Sequence, residues 1–353
     1  MTAADALFAL MALCLAMYVL LDGYDLGIGT LLLAERDEGR RREMVEIVAT
    51  AWDGNESWLI LFAVAFWGGF PAAFGVLLPA MYIPVIVMLF ALIFRGVAIE
   101  VISAANGVPR GWGYAFGIGS LVAAFAQGMA IGGVLSGVTI SHGGFAGGSF
   151  DFFGPYSLLT GITTVAVYCM AGAAVLQLKT EGELRARSGR TGRTIAVFTA
   201  LLVTISALSL EATAVPVQLG VTWRAVVFAV LAAIGACAFL FAWVAFGRRP
   251  DTGPLIGLVT ASATGLAALI IAVYPALVPP DLTVYTARAP ATTLEFMLFG
   301  VGCNIPLLLF YGWMAHHVFR GKYRLPAENR PAGVPASGHA LSPHEPGEEV
   351  AAS

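Results

Sequence analysis

The amino-acid sequence predicts an all-α polytopic membrane protein with nine transmembrane helices. Of its 353 residues, 58% are hydrophobic and only 12% are charged, and the mean hydropathy is +0.82. Soluble domains carry roughly 25% charged residues, so this composition excludes a soluble globular protein. Long apolar runs predict the helices, and an alternation of basic and non-basic segments between those runs predicts their orientation.

Each apolar run is long enough to cross a bilayer, because a membrane-spanning helix needs about 20 apolar residues. The first run has no basic segment before it and exceeds the apolar length of a signal peptide, so we expect it to be a retained span. The polar segments between the runs predict spans at residues 4–33, 53–74, 78–102, 112–138, 155–178, 194–213, 222–246, 254–278 and 292–319.

Arg and Lys residues lie mainly in the segments that follow the first, third, fifth, seventh and ninth predicted spans. The alternate segments are rich in Gly and Pro and contain few basic residues. Because basic loops stay in the cytoplasm, this pattern predicts an outside N-terminus and an inside C-terminus. The transmembrane domain is predicted at residues 1–324. Residues 325–353, rich in Pro, Ala and Gly, are predicted to form a disordered cytoplasmic tail.

Charged residues inside the predicted spans gather in the cytoplasmic half of the first three. An ionised side chain at the bilayer centre costs about 3 kcal/mol, so these residues need partners or water. One arginine cannot balance five carboxylates, and at least one carboxyl is therefore expected to be protonated or linked to water. The six residues are Asp22, Asp25, Asp53, Glu56, Arg95 and Glu100.

Two interpretations of these charges remain open. In the first, Arg95 forms a structural ion pair or polar cluster with Asp25 or Glu100 that holds three helices together. In the second, the carboxylates form a proton entry from the cytoplasm. The residues assigned to this proton pathway are Asp53, Glu56, Asp25 and Asp22.

No histidine lies in the middle of a predicted span, so the sequence offers neither an axial haem ligand nor a metal site. The four cysteines lie in apolar runs without CxxC spacing and are interpreted as packing residues. Gln127 in the fourth span and Asn304 in the ninth are predicted to form hydrogen bonds between helices.

Five motifs resemble subunit II of the cytochrome bd quinol oxidases in their order and spacing. The resemblance extends over residues 5–324. Two features depart from the family pattern: Val101 and Ile102 replace an aromatic and a basic residue after the third motif, and the outer loop between spans six and seven is short. The motifs are "LLDGYDLGIG" at 20–29, "WDGNESWLI" at 52–60, "FRGVAIE" at 94–100, "LKTEGELRAR" at 178–187 and "YPALVPP" at 274–280.

The resemblance implies a fold of two four-helix bundles with one extra helix. It also implies a heterodimer with subunit I, in a bacterial or archaeal cytoplasmic (inner) membrane, that oxidises quinol and reduces dioxygen to water. Subunit I would hold two b-type haems and one haem d, with no haem bound by this chain alone. The resemblance leaves open a small single-span accessory subunit as a further partner.

Two residues receive roles from the resemblance alone. Asp53 corresponds to the acid of a proton route that leads from the cytoplasm toward the haems. Trp58 corresponds to a residue that lines the lipid-side path of oxygen entry.

A proton-coupled membrane transporter is the alternative function, because transporters also combine many spans with buried acids. Transporters often contain two repeated halves with matching broken helices. This sequence shows no convincing internal repeat, and its buried acids lie in one half only. The pattern therefore favours the oxidase subunit.

Overall fold

The computed structural model describes residues 2–105, 108–210, 223–318 and 321–323. Within these ranges the chain forms eleven α-helices and two short antiparallel hairpins. The elements are α1 (Ala3–Leu32), α2 (Glu38–Ala49), α3 (Trp52–Gly69), α4 (Pro71–Ala80), α5 (Tyr82–Ala104), α6 (Arg110–Ser136), β1 (Ile140–Ser141), β2 (Gly144–Phe145), α7 (Pro155–Lys179), α8 (Gly182–Ser209), α9 (Trp223–Ala245), α10 (Gly253–Val273), β3 (Ala276–Val278), β4 (Leu282–Thr283) and α11 (Ala291–Val318).

Eight of these helices are long and apolar enough to cross a membrane, and the all-α polytopic class is therefore confirmed. They are α1, α5, α6, α7, α8, α9, α10 and α11. The second predicted span, 53–74, corresponds to two helices, because α3 ends at Gly69 and Pro71 begins α4. Polar residues fill the first turns of α3, which has 18 residues and is not among the eight. The count of nine spans and the two-bundle arrangement stay predictions.

Some helix boundaries differ from those predicted from hydropathy. Helix α2 lies in a basic segment that was expected to be a loop, and α8 begins at Gly182 rather than at residue 194. Asp37 caps α2, since its side chain accepts a hydrogen bond from the Arg40 amide at 2.9 Å. Apolar residues of α2, such as Met44 and Val48, are buried in an apolar cluster with residues of α1 and α5. A hydropathy scan misses such amphipathic helices, because their mean hydropathy is low. The predicted tail at 325–353 lies outside the described residues.

Helix α1 lies at the centre of the N-terminal part of the chain and packs against α3, α6 and α7. Glycines allow α1 and α7 to approach closely. A Cβ atom at Gly172 would lie 2.6 Å from the backbone carbonyl carbon of Gly27 and from the amide nitrogen of Ile28. A Cβ atom at Gly27 would overlap the carbonyl group of Tyr168. Contacts between small residues are typical of helix pairs that pack within a membrane.

Ion pairs join the segments predicted to be cytoplasmic. Arg40 of α2 binds Glu183 of α8 at 3.1 Å, and Arg187 of α8 binds Glu35 after α1 at 3.0 Å. These contacts bring the segments after the first and fifth predicted spans together on one face. The alternation of sides that the basic residues predict is consistent with this arrangement.

Two more basic segments, those after the seventh and ninth predicted spans, join the same face through Asp251. This carboxylate, between α9 and α10, accepts hydrogen bonds from Arg185 and from Lys322, the latter at 2.7 Å. The hydrogen bond from Arg185, with that from Lys322, lowers the pKa of Asp251 to about 2. A carboxylate whose pKa is lowered on folding contributes stability above its unfolded pKa of about 4 and loses it as the pH falls toward 2. The contact therefore persists at neutral pH.

The segments predicted to lie outside also contact one another. The Tyr274 hydroxyl donates to Asp5 Oδ1 at 2.9 Å, and the Ala289 amide donates to the Gly69 carbonyl at 2.9 Å. The start of α1, the end of α3 and the segments on either side of the β3–β4 hairpin thus meet at the opposite end of the helices. Which of the two faces is cytoplasmic stays a prediction.

We expect Gly172→Ala to destabilise the protein, because its methyl group would meet the α1 backbone rather than a movable side chain. Overpacking of this kind costs about 1–3 kcal/mol. Thermal unfolding of the purified protein in detergent should show a lower midpoint. Gly265→Ala in α10 is the matched control, because no atom lies within 4 Å of its Cβ position. Equal midpoints for the two variants would contradict the close α1–α7 contact.

The orientation is tested with a reporter that is active only in the cytoplasm. Fused after residue 324, the reporter should be active. Fused at Gly147, between β2 and α7, it should be inactive, because the Gly-rich segment there is predicted to lie outside. The opposite pattern of activities would reverse the predicted orientation.

Candidate functional site

The guanidinium group of Arg95 binds two carboxylates from different helices. Its Nη2 atom on α5 donates to Asp22 Oδ1 of α1 at 2.8 Å and to Glu56 Oε1 of α3 at 2.6 Å. The Arg95 and Asp22 side chains are fully buried, whereas the Glu56 side chain is 24% exposed. Removing one member of a buried ion pair leaves a charge without compensation, so these contacts hold α1, α3 and α5 in register.

Asp25 is not bound to Arg95 but to Asn55. It lies one helical turn after Asp22 and is fully buried. Its Oδ2 atom accepts a hydrogen bond from Asn55 Nδ2 at 2.8 Å. The start of α3 therefore supplies two adjacent hydrogen-bonding side chains to the cluster. The Asn55 amide binds Asp25, and the Glu56 carboxyl binds Arg95. Sequence reasoning missed Asn55, although it stands between the two acids of the "WDGNESW" motif.

Asp53 and Glu100 lie outside this cluster. Asp53 is exposed in the first turn of α3 and forms no ion pair within the described ranges. Glu100 is exposed on α5, so the expectation that it pairs with Arg95 was wrong. The reason is geometric: at 3.6 residues per turn, a position five residues beyond Arg95 faces another side of the helix.

Four buried polar atoms of the cluster have no hydrogen-bond partner among the described residues. They are Asp22 Oδ2, Asp25 Oδ1, Arg95 Nε and Arg95 Nη1. Buried polar groups are nearly always bound to protein or to ordered water. The cluster also brings three carboxyl groups to one guanidinium, and that charge imbalance favours a bound proton on at least one carboxyl.

A second polar contact lies one turn further along α1. Gln127 of α6 donates from Nε2 to the Tyr18 hydroxyl at 2.6 Å and accepts from the Tyr168 hydroxyl of α7 at 2.9 Å. The predicted hydrogen bonding of Gln127 between helices is thus confirmed. Asn304 donates to the Gly300 carbonyl of its own helix instead, so the corresponding prediction for Asn304 was wrong. Sequence reasoning missed Tyr18 and Tyr168, because an aromatic residue in an apolar run carries no distinctive signal.

Trp58 is enclosed in the protein interior. Only 2% of the residue is exposed, and it belongs to an apolar cluster that also contains Tyr18 and Met129. It lies two residues after Glu56, so the polar cluster borders directly on this apolar core. The role of Trp58 in oxygen entry stays a prediction.

The described part of the chain contains no group of three or more His, Cys, Asp or Glu side chains placed to hold a metal ion. His142 lies in the tight turn of the β1–β2 hairpin, and His317 lies in the last turn of α11. Both are exposed. Neither position fits an axial ligand of a buried haem.

Comparison with known proteins decides the family. The family model for cytochrome bd terminal oxidase subunit II matches residues 3–319. The chain belongs to this family. The sequence motifs therefore indicated the correct family. These motifs contain Asp22, Asn55, Glu56 and Arg95, whose side chains form the contacts described above.

Individual relatives agree with this assignment. Cytochrome bd ubiquinol oxidase subunit 2 of Bacillus subtilis is 28% identical over 334 residues, which cover 90% of this chain and 95% of the relative. Cytochrome bd-I ubiquinol oxidase subunit 2 of Escherichia coli K12 is 30% identical over 198 residues, or 54% of this chain. That alignment spans about half of the Escherichia coli protein, 52% of its length.

The fold also matches a solved structure. A chain in the structure of bd oxidase from Geobacillus thermodenitrificans superposes with a TM-score of 0.76 at 18% sequence identity. The match covers 91% of this chain and 99% of the other. At this level of identity the likeness shows a shared fold.

We expect Arg95→Gln to destabilise the protein strongly, because it leaves the buried Asp22 carboxylate without its partner. Breaking a buried ion pair costs about 3–5 kcal/mol. Glu100→Gln on the same helix is the matched control and should change stability by about 0.5 kcal/mol or less, since Glu100 is exposed. The yield and thermal midpoint of the purified protein measure both effects. Equal losses for the two variants would contradict the pairing described here.

Proposed function

We propose that this chain is the haem-free subunit II of a cytochrome bd-type terminal oxidase of a bacterial inner membrane. The oxidase oxidises quinol and reduces dioxygen to water. The family match over residues 3–319 is the observation that carries this proposal. The family match gives no support to the alternative function, a proton-coupled transporter.

Subunit I holds two b-type haems and haem d in this proposal, and the chemistry of oxygen reduction occurs there. His142 and His317 are exposed and lie in a hairpin turn and at a helix end, which supports that division. We assign three contributions to subunit II: proton uptake, oxygen access and support of subunit I.

Proton uptake is assigned to the carboxyl groups of α3 and α1. Asp53 is exposed in the first turn of α3, at the predicted cytoplasmic end. Glu56 lies one turn further, is partly exposed and contacts Arg95. Asp22 and Asp25 lie behind it and are fully buried. Exposure therefore decreases from Asp53 through Glu56 to Asp22 and Asp25, as expected of an entry route.

Bound water completes this route in the proposal. Asp22, Asp25 and Arg95 each present a buried polar atom without a partner in the described part of the chain. Water molecules that bind such atoms would link carboxyl groups that do not contact one another directly. A water link to the buried carboxyl groups matters most for Asp53, because the Asp53 carboxylate forms no ion pair among the residues described.

Oxygen access is assigned to the apolar interior around Trp58, and support of subunit I to the outer faces of α3 and α5. Trp58 lies in an apolar interior that suits an apolar gas. Large apolar side chains are exposed along the outer faces of α3 and α5. We place subunit I against this apolar surface. The exposed apolar side chains include Ile60, Val64 and Trp67 of α3 and Phe90, Ile93, Phe94 and Val97 of α5.

The proton route is tested with Asp53→Asn, which keeps the size of the side chain and removes its titratable group. Because Asp53 is exposed and forms no ion pair in the described ranges, we expect the complex to assemble with its full haem content. Turnover per haem should fall by roughly a hundredfold, the lower range for loss of a positioned proton-transfer group. The measurement is quinol-driven oxygen consumption.

Two variants accompany this experiment. Glu56→Gln, one turn further on α3, should also lower turnover, and it tests whether the route continues inward. Glu295→Gln, an exposed carboxyl in the first turns of α11 at the predicted outer face, should leave turnover unchanged. A fully assembled Asp53→Asn enzyme with wild-type turnover would show that protons enter by another route, most simply through subunit I.

A further inference from the structure

Three consecutive arginines of α2 differ in their partners. Arg40 binds Glu35 at 3.0 Å, and Arg42 lies 3.7 Å from Glu46 of the same helix. Arg41, between them, forms no ion pair with any described residue, and its Nε atom is buried without a hydrogen-bond partner in the described chain. Because buried donors are nearly always bound to an acceptor, the Arg41 guanidinium calls for an acceptor from outside these residues.

The guanidinium of Arg41 lies against the first turn of α6. A Cβ atom at Gly113 would overlap Arg41 Nη2, so this glycine leaves the space that the guanidinium fills. Arg41 Cζ also lies 5.9 Å from the centre of the Tyr114 ring, which is a cation–π distance. The side chain is therefore held in place at the start of α6 by packing rather than by a carboxylate.

The start of α6 adds to the positive potential around Arg41. Its first backbone hydrogen bond runs from the Gly113 amide to the Pro109 carbonyl, and no side chain among the described residues caps the helix. The amides before Gly113 have no acceptor within the helix, and they carry the partial positive charge of a helix N-terminus. A guanidinium beside such amides is favourable only when an anion lies between or near them.

One face of α6 continues from this positive region into the membrane. Arg110, Tyr114 and Ile118 are exposed and follow one another at intervals of four residues, so they lie on a single face of the helix. The face begins with a cation, continues with an aromatic ring and ends with an aliphatic side chain. Basic and aromatic residues gather where a membrane meets water. Arg41 and Arg110 thus lie at the level of lipid head groups, and Ile118 lies at the level of acyl chains.

We propose that Arg41 and Arg110 bind the phosphate of an anionic phospholipid whose acyl chains lie along Tyr114 and Ile118. A guanidinium donates two parallel hydrogen bonds to phosphate oxygens, and the Arg41 Nε atom is a donor that still needs such an acceptor. The lipid carries a net negative charge because its head group has no cation, as in phosphatidylglycerol. The ammonium group of a zwitterionic lipid would be repelled by the two arginines.

The exposed face of α6 favours a lipid over a free phosphate ion. Both ligands offer the oxygen atoms that Arg41 requires. Only the lipid also covers the exposed Tyr114 and Ile118 side chains, which lie on the same face as Arg110. The proposal does not depend on the proposed function, since it concerns lipid binding by the folded chain and not proton transfer.

The test is a lipid titration of the purified complex in detergent, followed by native mass spectrometry. The probe is dioleoyl phosphatidylglycerol, and dioleoyl phosphatidylcholine is the zwitterionic comparison. One phosphatidylglycerol molecule per chain should bind about tenfold more tightly than phosphatidylcholine, as expected when a charged contact is gained and a repulsion is avoided. Inorganic phosphate at millimolar concentration should not displace this lipid.

Two variants locate the site. Arg41→Gln removes the charge, and it should weaken the binding of that one lipid by about tenfold, the effect of losing a charge-assisted hydrogen bond. Gly113→Ala keeps every charge and should weaken the same binding, because its methyl group displaces the guanidinium. The atom displaced is the end of a flexible side chain, so Gly113→Ala should fold normally and carries the test if Arg41→Gln fails to assemble.

Each variant has a matched control. Arg36→Gln changes the net charge as Arg41→Gln does, at an exposed residue of the same segment, and should leave lipid binding unchanged. Gly111→Ala places a methyl group in the same helical turn as Gly113→Ala, but no atom lies within 4 Å of its Cβ position. It should also leave lipid binding unchanged.

Three results would overturn the proposal. Equal lipid affinity in the wild type, Arg41→Gln and Gly113→Ala would show that Arg41 binds no lipid and has another acceptor, such as a carboxylate of a partner protein. Equal losses in Arg36→Gln and Arg41→Gln would show a general effect of surface charge. Displacement of the lipid by inorganic phosphate would show a site for a free anion. None of these results bears on whether Asp53→Asn changes turnover.

Discussion

The burial of one guanidinium group between three helices is the constraint on which the rest of the site depends. Arg95 is fully buried, and such a charge is tolerated only when carboxylates and hydrogen bonds surround it. Helix α1 supplies Asp22 for this purpose, and α3 supplies Glu56. The polar first turns of α3 follow from this requirement. They make α3 less apolar than the eight clear spans, yet they hold α3 against α1 and α5.

Helix α1 combines two properties that the site needs. Tyr18, Asp22 and Asp25 follow one another at intervals of four and three residues, which places them on a single face. Close packing through Gly27 and Gly172 fixes the distance from α1 to α7, where Tyr168 lies. Hydrogen bonds across three helices demand such fixed distances, because they weaken steeply when their geometry changes. Packing of small residues and placement of polar ones are therefore two parts of one arrangement.

The sequence predicts the depth of each charged residue but not its direction. Counting residues from a span end placed Asp22, Asp25 and Arg95 in the same half of the membrane. The partner of Arg95 depends on how each helix is rotated about its axis, and that rotation is set by packing with neighbours that a single sequence does not specify. For this reason Glu100 was expected near Arg95 and lies elsewhere. Helix α2 was missed for a different reason, because a hydropathy scan does not register a short amphipathic helix.

The carboxyl oxygens that have no donor among the described residues are the positions at which bound water would join the proposed proton route. A cluster in which every carboxyl oxygen had a fixed donor would hold one charge state and resist protonation. Here Asp22 and Asp25 each bind one side-chain donor within 3.5 Å in the described chain and keep one oxygen without a partner. Glu56 is the carboxyl that remains partly open to solvent. Exposure decreases from Asp53 through Glu56 to Asp22, because each helical turn carries the next carboxyl further into the packed helices. A route from water to the buried cluster requires this order of exposure, and the charge of Arg95 is what keeps the innermost carboxyl in place.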